Sequence, residues 1–336
     1  MRLACAVVVL VVGCASAARA AGDEFNFVGP APVRNFAPIQ LIFLNLPFQR
    51  ALVTPERELA FHLWTAESNE IATTQGRFES TLKFETNWTA FGVQYGFAPD
   101  WEIGMDVPFI SRWGGFLDPM INEIERLTGQ VNPERNLFPN NTFGAFSVKE
   151  GNTTVFHGRP EAFELGDMWT SMKRQFQFGD GWPRLALRGA FKMPTGNPDQ
   201  VNGSGKPDFG LGGALDYRVF DRLMLYMNVN VIFPVGPITP ADLTLNPFVT
   251  ESFAGEFALL RWLTVQLHQA TYTSPIADTG TALMGDPVVE LGLGFNAHCA
   301  SWLDLQIMGI DNVSGVEQAA DFTLLFAARV TVGSRQ

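Results

Sequence analysis

Apolar and polar residues alternate with a period of two over segments of roughly ten residues, and residues that favour turns separate the segments. The C-terminal segment AADFTLLFAARVTVG shows it best. Phe322, Leu324, Phe326, Ala328, Val330 and Val332 fall on one face, and Thr323, Leu325, Ala327, Arg329 and Thr331 on the other. The same pattern places Leu263, Val265 and Leu267 opposite Thr264, Gln266 and His268, and Leu303, Leu305 and Ile307 opposite Asp304 and Gln306. It predicts strands near residues 58–68, 82–97, 101–111, 165–178, 183–194, 207–219, 223–234, 250–260, 263–272, 286–298, 302–312 and 320–333. That even number suits an all-β, antiparallel transmembrane β-barrel of about twelve strands.

The connections between these strands fall into two classes. Ala98-Pro99-Asp100, Gly179-Asp180-Gly181, Phe220-Asp221-Arg222, Arg261-Trp262 and Ala300-Ser301 are tight, and the connections between them in sequence are longer. Alternation of short turns with long loops is the periplasmic-turn, external-loop asymmetry of outer-membrane barrels. Trp101, Trp182, Trp262 and Trp302 all stand at the tight turns. An indole is apolar with one N–H, so a ring of them belongs at the membrane interface.

Composition sharpens this reading. The chain is 46% hydrophobic and only 17% charged, yet holds no second run of about eighteen apolar residues after the first twenty positions. A helical membrane protein is thereby excluded, whereas a barrel needs apolar residues only at alternate positions. Residues 1–20 read as a secretory signal peptide: Arg2, the apolar run Leu3–Val12, and small residues at Ala18 and Ala20. Val11-Val12-Gly13-Cys14 also fits a loose lipoprotein box that would leave Cys14 acylated. Cys5 and Cys14 lie in this leader, so an intrachain disulfide at Cys299 is not expected after cleavage. A net charge of −11 argues against nucleic acid as a partner, and the scattered histidines give no metal-binding spacing or cofactor site.

Two segments depart from the alternating pattern. Residues 112–164 form an external loop too long to be structureless. Ile121, Ile124 and Leu127 predict a short amphipathic helix there, and Phe143–Phe156 a hairpin around Glu150-Gly151-Asn152. Residues 21–57 are rich in Pro, Phe and Asn and contain Leu41-Ile42-Phe43-Leu44, too apolar to hang in water; they either plug the barrel or lie beneath it in the periplasm.

On the barrel reading, residues 58–333 carry a charged inner face: Glu102, Asp106, Asp167, Lys173, Arg184, Arg188, Lys192, Asp216, Arg218, Glu256, His268, Glu290, Asp304 and Arg329. Arg184, Arg188 and Lys192 recur every four residues and form a basic column. Such a face serves either as a polar path or as a ladder of buried ion pairs. An outer-membrane enzyme is a minor alternative, because no Ser stands at a recognisable spacing from a His. Gly203-Ser204-Gly205 lacks phosphate-loop spacing and opens a strand, so it reads as an external turn.

Three stretches, VRNFAPIQLIFLNLP, YGFAPDWEIGMDVPFISRWGGFLD and KMPTGNPDQVNGSGKPDFGLGGALDY, resemble an uncharacterised bacterial domain-of-unknown-function family of outer-membrane barrel-like proteins. That family is distantly similar to outer-membrane proteins found with phenol meta-pathway degradation genes. The most specific piece is Pro194-Thr195-Gly196, Gly203-Ser204-Gly205 and Asp208. The resemblance implies a barrel that passes small, hydrophobic molecules, and it brings no catalytic residues. The chain departs from outer-membrane barrels in ending Val332-Gly333-Ser334-Arg335-Gln336 where an aromatic residue is usual.

The expectation is therefore an exported barrel with outer-membrane lipid, the barrel-assembly machinery and a small solute as partners. Its role is that of a pore or facilitator, or else of a closed-lumen structural or surface-interaction protein.

Overall fold

The computed structural model of the full chain describes residues 25–129, 132–179, 181–238, 243–276, 285, 287–314 and 319–333. The signal-peptide and Cys14 readings fall outside them. Cys299 is disulfide-bonded in the full chain.

Period-two segments become the wall strands, and residues 145–165 add three short ones. They are β1 (Leu59–Thr74), β2 (Phe78–Ala98), β3 (Trp101–Trp113), β4 (Ala145–Glu150), β5 (Thr153–His157), β6 (Glu161–Leu165), β7 (Trp169–Phe176) and β8 (Arg184–Lys192). Then follow β9 (Asp208–Phe220), β10 (Leu223–Pro234), β11 (Phe248–Ala258), β12 (Leu263–Tyr272), β13 (Val288–Ala300), β14 (Leu303–Ser314) and β15 (Phe322–Val332). β1 pairs antiparallel with β2 and also with β15, from Leu59↔Val332 to Asn69↔Phe322, so the sheet closes. The result is a twelve-strand antiparallel barrel of β1–β3 and β7–β15 with no open edge.

The barrel is inside out relative to a water-soluble protein. On β12, Thr264, Gln266 and His268 are buried on the inner face, while Leu267 on the outer face is 63% exposed. Phe61, Phe91, Ile103, Leu187, Leu211, Leu293 and Phe295 continue that exposed apolar surface around the wall. A belt of this kind is stable only against lipid.

The sequence placed loop at 69–81, but β1 and β2 run on through it as a long hairpin. The cause is burial on both faces: Ala66 to Ala72 are all buried, beneath the 3₁₀ turn Pro133–Leu137 and its neighbours, and β4 pairs with Phe78–Lys83 of β2. Two-sided burial erases the polar/apolar alternation that marks a wall strand. The β4–β5 hairpin turns at Glu150–Thr153, where sequence puts it. The helix α1 (Asp118–Thr128) begins with Pro119 in its first turn and stops at Gly129, whose φ of 75° is the left-handed C-cap. Of its apolar residues Ile121 is buried, while Ile124 and Leu127 are exposed.

β3 changes partner along its length. It pairs with β7 from Trp101 to Asp106 and with β6 from Phe109 onward. Pro108 stands at the changeover and has no N–H to give, while its carbonyl accepts from Gly166 N (2.9 Å).

The barrel interior is filled by the chain itself. Residues 25–55 run up one side of the lumen, turn in a 3₁₀ turn at Gln40–Ile42, and run down the other side to Thr54, beside the β2–β3 turn. "Turn end" and "loop end" hereafter name the two ends of the barrel by their connections.

Candidate functional site

An irregular segment inside a barrel must have its backbone donors satisfied, or each costs on the order of 1–3 kcal/mol. Two features of the sequence meet that demand. Pro30, Pro32, Pro38 and Pro47 carry no donor, and acidic or amide side chains on the inner wall take several of the others, the rest bonding within the segment, as Phe48 N does to Val33 O (3.2 Å). On the rising limb, Val28 and Gly29 N–H donate to the Glu256 carboxylate (3.2 and 3.1 Å), and Ala31 N–H to Gln266 Oε1 (2.9 Å). On the falling limb, Leu44 N–H reaches Asp208 (2.8 Å), Gln49 reaches Asn228 (3.1 Å), Ala51 reaches Asp216 (2.7 Å) and Thr54 reaches Glu102 (2.7 Å). At the hairpin tip apolar contacts add to the polar ones. Phe36 meets Trp88 edge-on (5.7 Å) and Phe43 meets Phe248 (6.0 Å).

The inner-face residues named from sequence divide by what they touch. Glu102, Asp216 and Glu256 hold the hairpin; Asp216 also pairs with Arg50 (3.2 Å), and Glu102 with Lys173 (3.1 Å). Asp106 pairs with His62 (2.5 Å), and Asp304 with His298 (2.7 Å). Arg188 gives its hydrogen bonds to Pro47 O (2.8 Å) and Asn230 Oδ1 (2.6 Å). Arg329 reaches Thr54 Oγ1 (3.3 Å). His268 is buried against the ring of Phe48 with neither ring nitrogen hydrogen-bonded, and Glu290 is buried with one carboxylate oxygen unpartnered. Arg184 is half-buried and bonds Gln177 (3.0 Å), and Arg218 is exposed with its guanidinium over Phe27.

Arg184, Arg188 and Lys192 share a face, but they do not form a single field. Lys192 sits between Asp167 (3.0 Å) and Asp208 (2.8 Å), and its ammonium also meets Ile42 O and Ser204 Oγ. Asp167 in turn accepts from Gly196 N (2.8 Å) and Ser204 N (3.1 Å), and a Cβ at Gly203 would collide with its carboxylate. The Pro-Thr-Gly…Gly-Ser-Gly…Asp segment is thus a fastening that draws the β8–β9 loop onto the hairpin tip. Asn228, Asn230, Gln266 and Asn296, which also contact the hairpin or its anchors, were not singled out from sequence. They stand at inner positions of the alternation, but a neutral amide there looks like any other lumen residue.

Charged clusters close the loop end. Arg112 is fully buried and binds Glu161 (2.5 Å), Val201 O (2.8 Å) and Asn202 Oδ1 (2.7 Å). Asp118 binds Lys83 (2.6 Å) and Arg135, and Arg135 also binds Glu125 and Asp321 (2.7 Å each). Burial pushes the Asp321 carboxyl up to about 7, helped by Glu125, Asp311 and Glu134 and opposed by Arg135. A folded-state pKa raised in this way gives stability that is full below the unfolded value and is lost as pH rises to the folded one. Protection of the amides in residues 132–137, that is exchange relative to its intrinsic rate at each pH, is therefore expected to fall between about pH 4 and about pH 7. Asp321→Asn should remove that dependence. Equal pH dependence in the variant would assign it to another group.

Space remains beside the falling limb. A cavity open at its mouth is lined by Arg50, His62, Trp64, Lys173, Gln306 and Arg329 in the turn-end half. A second, much tighter gap shares Lys173 and Gln49 with it and adds Glu102, Trp169 and Arg188.

Among solved structures, the chain is similar to the COG4313 outer membrane channel from Pseudomonas putida F1, with a TM-score of 0.57 at 9% identity. The alignment covers 83% of this chain and 96% of that one. It is also similar to the toluene transporter TbuX of Ralstonia pickettii, with a TM-score of 0.42 at 9% identity, covering 89% of this chain and 99% of that one. At 9% identity the likeness to the COG4313 channel is one of fold. No curated protein matches the sequence. Residues 6–331 match the family described as protein of unknown function (DUF3187), and the chain belongs to that family.

Proposed function

We propose that the protein is an outer-membrane facilitator for a small solute, held closed in this state by residues 25–55. The observation that carries this reading is the nature of the filling. The lumen is occupied by two passes of chain joined through one end, with backbone amides on wall carboxylates, and not by the wall's own side chains. Both limbs leave at the turn end, so the hairpin can withdraw without threading past the closed loop end. The leader 1–20 would export the chain, and the barrel-assembly machinery would insert it with the tight turns in the periplasm. The fold is that of channels, and the reading is a non-enzymatic one.

A closed-lumen interaction protein is the second reading, favoured by the apolar packing of Phe36, Ile42 and Phe43 at the hairpin tip. Planar-bilayer recording of full-length protein and of a variant lacking residues 25–53 separates the two. The facilitator reading expects at least a roughly tenfold rise in unitary conductance on deletion, since an eight- to sixteen-stranded wall encloses a lumen that only filling closes. A deletion variant that still shifts on gels when heated, and conducts no better than the full chain, supports the closed-lumen protein.

A further inference from the structure

We propose that the cavity beside the falling limb binds a small carboxylate with an apolar body. The proposal names the solute class for the facilitator reading and rests on that reading for its purpose, though not for its occupancy.

The charges around the two cavities do not balance. Lys173, Arg188 and Arg329 face them, and Glu102 is the single carboxylate paired to any of the three among the described residues. Glu102 is already saturated, with one oxygen on Lys173 and the other taking both Thr54 N and Thr54 Oγ1 (2.7 and 2.8 Å). Asp106 is engaged by His62. Asp304 is level with Arg329 across β14 and β15 but binds His298 instead. Arg188 spends its terminal nitrogens on neutral oxygens, and its Nε is buried without a partner. Arg329 has one long contact to a hydroxyl, and its Nε is likewise buried and unpartnered.

Arg188 is buried and Arg329 half-buried, and a guanidinium drawn out of water without a counter-charge is unfavourable, so an anion is the missing partner. The planar fork of Arg329 matches a carboxylate, which takes two parallel N–H groups. The other wall is apolar. Trp64, Leu52 and Pro32 line the cavity, and the Trp64 ring stacks on His62 at 4.3 Å. A simple inorganic anion would leave that surface empty; an aromatic or short aliphatic acid would cover it.

Full-length protein in detergent, titrated calorimetrically with benzoate, tests the site. Benzyl alcohol and benzylamine serve as neutral and cationic isosteres, and phosphate as an inorganic anion. Saturable benzoate binding at one site is expected, weakened at least about tenfold by Arg329→Gln and less by Arg329→Lys, since one charge-assisted contact is lost. Benzyl alcohol binding as tightly as benzoate, phosphate binding as tightly as benzoate, or an unchanged affinity in a folded Arg329→Gln variant would each overturn the proposal. Should Arg329→Gln fail to fold, the comparison of isosteres on the unaltered protein still decides. Benzoate flux into liposomes is measured in parallel. Binding without flux removes the facilitator reading and leaves the site; flux without binding removes the site alone.

Discussion

Replacing Lys192 with Gln is expected to loosen the loop end of the barrel and leave ion selectivity unmoved. From sequence, Arg184, Arg188 and Lys192 present as three charges on one face of a strand, and their joint removal should shift selectivity if they line a water path. The structure places Lys192 elsewhere in energetic terms. It is 1% exposed, lies within 3.0 Å of both Asp167 and Asp208, and reaches the Ile42 carbonyl at the hairpin tip. Gln supplies one or two of these hydrogen bonds and none of the charge. Two neighbouring carboxylates would then be left facing each other in a dry site, at a cost on the order of 3–5 kcal/mol. The loss should fall first on what the ion cluster fastens: the β8–β9 loop through Asp167, and the hairpin through Leu44. A lower temperature for the heat-induced gel shift and faster proteolysis within 193–207 are the expected readings. A variant of unaltered stability whose reversal potential moves toward cations would show that Lys192 faces a conducting path after all.

That contrast shows what a sequence of this kind reveals and what it does not. Period two reports which face of the wall a residue occupies, and every barrel strand is legible because its two faces meet lipid and lumen. It does not report depth or partner. Arg184, Arg188 and Lys192 share a face, yet one lies near the rim, one binds a carbonyl of the hairpin, and one is locked between two aspartates. Where both faces are buried, as along Ala66–Ala72, the alternation vanishes and a strand reads as loop. Residues 25–55 have no period at all. Their prolines and apolar run exclude a solvated tail, but only the wall's side chains show where they sit. The acids that hold them were visible as lumen charges. The amides Asn228 and Gln266 were hidden, because their neutrality gives no reason to prefer them over any other polar position.

The largest local effect is expected at Glu256, where the hairpin's rising limb is anchored. This carboxylate is fully buried and forms no ion pair among the described residues; hydrogen bonds satisfy it instead. Val28 N, Gly29 N, Tyr226 Oη (2.7 Å), Thr264 Oγ1 (2.6 Å) and Asn296 Nδ2 (2.9 Å) all donate to it. Glu256→Ala strands five donors at once. At about 1–3 kcal/mol for each donor left without an acceptor, even partial rescue by entering water leaves a loss of several kcal/mol. The wall strands around it, β10 to β13, keep their backbone ladders, so the loss should appear as release of the hairpin before unfolding of the barrel. Glu256→Gln retains one acceptor oxygen and should fall between the two. Hydrogen exchange resolves the order of events. In Glu256→Ala, amides of residues 28–31 are expected to lose at least about a hundredfold in protection while those of β11 and β12 change little, as for a local opening detached from the global one. Uniform loss of protection across barrel and hairpin would mean instead that the two unfold as one unit, and a hairpin that cannot leave without the wall cannot be a gate.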